Sequence, residues 1–378
     1  MSSKEVEHAQ EEQFDLSAGK ERPYFLKKLK QISVVSWYKV PLFIVSMFLF
    51  ILAITLMKEG AKALIPLIEN TFRIDTPTRS LGFGWLFAYL IMSGSPVAAA
   101  ALTFLDAGVI SVISSFMMIT GSRLGSSFIV LFIGFIYVLR GRNKATSLDM
   151  GLLSLTVTAT THVPAIFLGI VLLQYRLLNN LQMSSGGVLG GAFDAVFDPI
   201  TQLLAAHLPQ GVIFAIGLII IMISFSLFDR CLPQMTLKES QIGRMSRLVY
   251  KPVIMFTLGG ALTLISMSVS VSLSLLVPLS NRGFVRRENV IPYIMGAGVS
   301  TFIDTLFAAV LLNNPDAFTV VLVEMVTVAV ISLLILLIVY RWYERWILSF
   351  TGWVTADNRH LALFMGIILL LPIFLLLI

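Results

Sequence analysis

Residues 81–106 read LGFGWLFAYLIMSGSPVAAAALTFLD, an apolar run broken at its centre by Met92-Ser93-Gly94-Ser95-Pro96. A second run, 253–280, reads VIMFTLGGALTLISMSVSVSLSLLVPLS and is broken at Met267-Ser268-Val269-Ser270. A membrane span needs about 20 apolar residues. Each run is therefore long enough to cross once as a tilted helix, or to enter and leave on one side as a re-entrant hairpin. That choice decides how the rest of the chain is threaded.

The surroundings leave no doubt about the solvent. Of 378 residues, 57% are hydrophobic and 13% charged, and mean hydropathy is +0.89. Soluble domains carry about 25% charged residues, so a soluble globular fold is excluded. Apolar segments run at 40–57, 81–106, 109–139, 148–175, 211–229, 253–280, 288–312, 317–340 and 360–378. The single Cys231 rules out an internal disulfide framework, and four scattered histidines argue against a multi-ligand zinc site. The net charge of +6 reads as membrane orientation rather than nucleic-acid binding.

Charge placement favours hairpins. The first 19 residues are polar, without the apolar core of a signal peptide, and Lys20 to Lys39 form a basic stretch suited to lie on anionic lipid. With every segment counted as a span and the N-terminus inside, Arg140, Arg142 and Lys144 fall outside, against the positive-inside rule. Treating 81–106 and 253–280 as hairpins brings the tail, 140–144, 230–251, 282–287 and 341–359 to the cytoplasmic side. Those regions hold 21 of the 27 Lys and Arg residues.

Shifting the chain by 175 residues aligns two halves without a gap. Gly84 falls on Gly259, Met92 on Met267, Ser93 on Ser268, Ser95 on Ser270, Gly108 on Gly283 and Gly121 on Gly296. Leu148-Asp149-Met150 falls on Val323-Glu324-Met325. Three spans between the hairpins would make the second unit upside down relative to the first, the architecture of many secondary transporters.

Chemistry concentrates at the breaks. A re-entrant turn leaves backbone groups unpaired, which is tolerable only where it lines a polar cavity. Ser95 followed by Pro96 suits a helix N-cap and first turn, presenting N–H groups to an anion. Serines packing small against neighbouring helices are the structural alternative. Second polar breaks follow at Gly121-Ser122-Arg123-Leu124-Gly125-Ser126-Ser127 and Gly296-Ala297-Gly298-Val299-Ser300-Thr301, with Asp304-Thr305 beyond. Charges at bilayer depth mark function or a structural ion pair; Arg123 and Asp304 are the two that qualify. Glu324 begins a helix near the outer face, where it could be solvated, and reads as structural rather than functional. Asp194 and Asp198 read as solvated in an outer, Gly-rich connection. The hydroxyls of Thr156, Thr158, Thr160 and Thr161 beside His162 bond back to their own helix or line a cavity. No nucleotide loop, metal cluster or nucleophile–base arrangement stands out.

On these motifs the sequence resembles the type II sodium–phosphate cotransporter family. That family has two inverted halves, each with a Gln-Ser-Ser-Ser hairpin and, downstream, Gly-Ala-Asn-Ile-Gly-Thr. The resemblance covers about residues 40–340. It departs where Met92 and Met267 replace both glutamines, where Arg123 and Gly298 replace both asparagines, and where Asp304 replaces a small hydroxyl residue. It implies substrate contacts at Ser93, Ser95, Ser268 and Ser270, joined by Arg123. It also implies a coupling-ion site at Ser126 and Thr301, to which Asp304 and Thr305 are added.

The expected molecule is an all-α polytopic membrane protein with about seven full spans, two re-entrant hairpins and two inverted repeats. Residues 1–39 form a cytoplasmic tail and basic juxtamembrane helix, 40–176 repeat 1, 177–210 an extracytoplasmic connection, 211–340 repeat 2, and 341–378 a cytoplasmic loop and an extra C-terminal span. The expected function is ion-coupled symport of phosphate or another small anion in the plasma membrane, with the N-terminus cytoplasmic. It needs no cofactor beyond a coupling ion such as sodium, and its partners are the anion and membrane lipid, not nucleic acid. A homo-oligomer is left open, and so are a passive anion channel and an intramembrane enzyme built on His162 and Asp304.

Overall fold

The computed structural model describes residues 39–68, 74, 76–139, 144–181, 186–231, 251–266, 269–274 and 287–378. Ser268, the 1–38 tail, Arg140, Arg142 and Gly283 lie outside them, as does the side chain of Ser270. The described chain is helical without strands. Seven of its helical stretches are long and apolar enough to cross a membrane: Lys39–Leu64, Val112–Ile136, Leu148–Gln174, Gln210–Phe228, Arg287–Leu312, Pro315–Ala356 and Asn358–Leu377. This is the architecture of a membrane-embedded helical protein.

Helix α1 (Lys39–Ala61) leads to α2 (Pro77–Ile91) and α3 (Ser95–Asp106), the two pieces of the broken run. Met92 takes a left-handed conformation (φ 55°) and ends α2. At 15 and 12 residues the pieces reach only about 22 and 18 Å, so 81–106 is not one long tilted helix. Both pack on α4 (Val112–Leu139). Leu81 meets Gly121, Trp85 meets Gly125 and Tyr89 meets Phe128 (4.8 Å between rings), so α2 runs parallel to α4. α3 runs back, with Ser95 beside Arg123 and the Ala101 carbonyl accepting from Ser115. The turn between them lies against the middle of α4, where Gly94 faces the Ser122 carbonyl and Ser126.

α5 (Lys144–Gln174), α6 (Gly186–His207) and α7 (Gln210–Cys231) follow. The outer connection is thus largely a helix. Phe197, Ile200 and Leu204 repeat at helical spacing, and they seat α6 against Ile51, Leu52 and Leu56 of α1. Asp198 is half-buried on this helix.

α8 (Pro252–Ser266) and α9 (Val269–Ser274) pack beside α10 (Arg287–Ser300), which continues through Thr301 into α11 (Phe302–Leu312). α8 and α2 are equal in length and offset by 175 at both ends. Their contacts shift with them. Gly84 touches the Met118 backbone as Gly259 touches that of Tyr293, and Gly121 touches Leu81 as Gly296 touches Phe256. Each contact needs glycine, because an added Cβ would overlap the facing carbonyl. Lipid tails supply no hydrophobic drive between helices, so close backbone packing of this kind holds them together.

α12 (Pro315–Leu334) passes through a π-helical turn (Ile335–Val339) into α13 (Tyr340–Ala356), and α14 (Asn358–Leu377) ends the chain. The expected 341–359 loop is therefore a helix. Tyr343, Ile347, Thr351 and Val354 form its buried face, while Trp342, Trp346 and Trp353 are exposed, a distribution suited to a membrane boundary. α14 runs antiparallel along α2, with Gly82 on Pro372 and Tyr89 Oη donating to the Ile368 carbonyl (3.1 Å).

Ion pairs mark opposite ends of the bundle. At one end Lys58 pairs with Asp106 (3.0 Å), and Asn314 Nδ2 donates to the same carboxylate (2.9 Å). At the other, Arg287 pairs with buried Asp149, and Tyr340 Oη donates to the Glu288 carbonyl (3.1 Å).

Candidate functional site

Arg123 sits in mid-helix on α4, only 4% exposed. A buried guanidinium needs partners for its charge and its N–H groups. Its Nη2 donates to Thr305 Oγ1 (2.5 Å) and lies 3.5 Å from Asp304 Oδ1, both on α11. Its Nη1 reaches Ser95 Oγ on α3 (3.4 Å), and its plane faces the Phe302 ring at 5.0 Å. Arg123 Nε keeps no partner.

The first turn of α11 builds the other side. Asp304 Oδ1 accepts from the Thr305 backbone N–H (2.5 Å) and the Thr305 hydroxyl (2.8 Å), and Oδ2 is buried without a partner. The two membrane-depth charges read from the sequence thus meet as an ion pair, with Ser95 and Thr305 around the guanidinium.

Next to this pair is a narrow cleft lined by Arg123, Ser126, Ser127, Thr158, His162, Val269, Leu273, Ile294, Gly298 and Thr301. The space in it open to a water-sized sphere is about 10 Å³, on the order of one water. Arg123 and Gly298 stand 175 residues apart, as do Ser126 and Thr301, so the second polar break of each half contributes to one wall. Ser126 bonds back to the Arg123 carbonyl (3.0 Å), and Thr301 is buried without capping α11 through its side chain.

Ser95 occupies a different helical position from the one expected. Gly94 is the N-cap of α3, and Ser95 and Pro96 are its first two residues. Proline is favoured there because its missing N–H is unpaired in any case, and Ser95 is left to meet the arginine. Ser93 lies in the turn, half-buried.

Two further acids, Glu324 and Asp149, are structural anchors. Glu324 is 1% exposed and bonded to the Thr120 hydroxyl of α4. It is not at a helix start: Asn314 caps α12 by accepting from Asp316 and Ala317 N–H groups, which puts Glu324 mid-helix and dry. Asp149, its counterpart by the 175 shift, is equally buried and reaches Arg287. Each acid crosses to the other half of the chain. Their placement in matching triplets was the available signal.

Thr160 and Thr161 bond back to carbonyls of their own helix (2.7 and 2.9 Å), as expected. His162 does the same through Nδ1, 3.0 Å from the Thr158 carbonyl. Among the described residues no cluster of three or more His, Cys, Asp or Glu could hold a metal ion. Compared with known proteins, the chain matches no family model, no curated protein and no solved structure.

Proposed function

We propose that the chain is an ion-coupled secondary transporter that carries phosphate or another small anion across the plasma membrane by alternating access. The observation that carries this reading is the cleft itself, walled by Arg123 with Gly298 and by Ser126 with Thr301, two pairs drawn from equivalent positions of the two halves. A cation and hydroxyls converge there, and the N-terminus of α3 touches that cation through Ser95, a set suited to an anion.

Several contacts support inverted repeats. The first helices of the halves, α1 and α7, lie antiparallel, with Ser46 and Ser224 each donating to the other's carbonyl (2.9 and 2.8 Å). Phe50 and Phe225, equivalent by the 175 shift, touch ring to ring at 5.5 Å. The antiparallel α2–α3 pair, turning against the middle of α4, supports a re-entrant hairpin entering from outside. The Lys58–Asp106–Asn314 cluster then lies on the outer face, and Arg287–Asp149 on the cytoplasmic face with the N-terminus. The narrow cleft corresponds to a closed state that opens alternately to each side. His162 is tied to Thr158 and Thr161, and Asp304 to Thr305 and Arg123.

Coupling follows from the ion pair. The guanidinium of Arg123 takes the place a cation would hold beside Asp304, with Thr305 between them, so transport depends little on sodium, and Ser126 and Thr301 serve the anion side of the cleft. Phosphate uptake into proteoliposomes tests the proposal. Accumulation above equilibrium under an imposed proton gradient is expected, with little added by a sodium gradient and with lowered apparent affinity in Ser95→Ala. Uptake that never exceeds equilibrium under either gradient would indicate a channel. Cysteines at positions 77 and 106 should label from the same side; labelling from opposite sides defeats the hairpin.

A further inference from the structure

The cleft holds a hydrogen-bond acceptor that the resemblance does not assign. His162 is 2% exposed. Its Nδ1 lies 3.0 Å from the Thr158 carbonyl, four residues back on the same helix. A carbonyl only accepts, and the Thr161 hydroxyl 3.1 Å from Nδ1 gives its own proton to the Val157 carbonyl (2.9 Å), so Nδ1 carries the ring's proton and, in the neutral ring, Nε2 is left with a lone pair. With Nδ1 turned back onto α5, Cε1, the carbon between the two ring nitrogens, faces Gly298, whose added Cβ would meet it at 3.5 Å. Gly298 and His162 both line the cleft. Nε2 has no hydrogen-bond partner.

Across the same cleft, Arg123 keeps one unused N–H, at Nε. The site therefore offers a fixed donor with positive charge on one side and a fixed neutral acceptor on the other. A fully deprotonated oxyanion satisfies the first and meets the second lone pair to lone pair. An oxyanion that carries its own hydroxyl satisfies both.

We infer that His162 is a specificity-determining residue that accepts a hydrogen bond from the anion, selecting hydroxyl-bearing oxyanions such as phosphate over fully deprotonated ones of the same shape such as sulfate. This rests on the transporter reading above and narrows its substrate class. A site built to hydrogen-bond a substrate O–H rejects the analogue that lacks it far more strongly than shape alone allows, because a buried acceptor is then left unpaired.

The test uses full-length protein in phosphatidylcholine vesicles, where inorganic phosphate is the only phosphate carrying a hydroxyl, with sulfate as competitor. Wild-type protein should take up phosphate and resist competition by sulfate by at least ~tenfold. His162→Phe should bring the two anions to near parity. His162→Gln, whose amide oxygen can accept, should restore part of the preference and guards against a folding defect in the first variant. Unchanged phosphate preference in a folded His162→Phe protein would overturn the inference and leave the transporter reading standing. Wild-type protein that moves neither anion would overturn both.

Discussion

At Gly121 the backbone of α4 meets Leu81, and at Gly296 the backbone of α10 meets Phe256. Two residues further along each helix the halves diverge: one presents Arg123, the other Gly298. The packing is duplicated and the chemistry is not. A close helix contact asks only that a Cβ be missing, a condition both halves can meet. Two guanidinium groups facing each other across a narrow, dry cleft would repel strongly at low dielectric. One arginine opposite one glycine avoids that and leaves room for the larger side chain. Asp304 then occurs in one half alone, because there is only one buried cation to neutralise.

The most damaging way to probe this asymmetry is to delete its cation. Arg123→Ala leaves Asp304 charged, buried and alone, at an expected loss of about 3–5 kcal/mol in thermal unfolding of the purified protein. A second change, Asp304→Ala, should recover part of it. Single losses that simply add in the double variant would mean that the two sites are independent.

The duplicated packing is probed by overfilling it. Gly121→Val and Gly296→Val should each cost about 1–3 kcal/mol, read as similar drops in melting temperature. A large drop at one and none at the other would sink the equivalence of the two contacts.

The ion pairs at the two ends of the bundle sharpen the comparison further. Arg287→Ala strands Asp149, which is 1% exposed, and should cost about 1–3 kcal/mol. Lys58→Ala should cost at most about 1 kcal/mol, since Lys58 is half-exposed and Asn314 still bonds Asp106. Equal losses would mean that burial does not separate the pairs.

The smallest effect is expected at the empty side of the cleft. A Cβ at position 298 meets only His162, at ordinary contact distance. Gly298→Ala should therefore change stability by no more than about 0.5 kcal/mol. Phosphate uptake should fall in the same variant, because the methyl group takes space from the cleft.

The seven apolar spans and the interruption at residues 92–94 were legible in the chain. Charge placement set the two broken runs apart from the full spans, and Ser-Gly-Ser-Pro interrupts the first of them. The 175 shift was legible too, and it brought Ser126 and Thr301, Arg123 and Gly298 into register before any contact was known. Glu324 was misread because the start of its helix was placed too late. Asn314-Pro315 is the stronger signal, an N-cap followed by a first-turn proline. The 341–359 stretch was misread because its charged residues drew attention from Tyr343, Ile347, Thr351 and Val354, which repeat at helical spacing.

Composition by itself determined that this chain lives in a bilayer as helices, because only helices satisfy every backbone group of a single segment without water. It also limited the chemistry to the few polar residues placed inside apolar runs. Which of those residues meet was decided only in three dimensions. Arg123 and Thr305 are 182 positions apart, and nothing local in either segment names the other. A buried charge finds its partner where α4 and α11 both pack on α3, and a histidine becomes an acceptor only when its own helix takes the other nitrogen. Hydropathy is a property of residues, whereas desolvation and pairing belong to the positions that folding brings together.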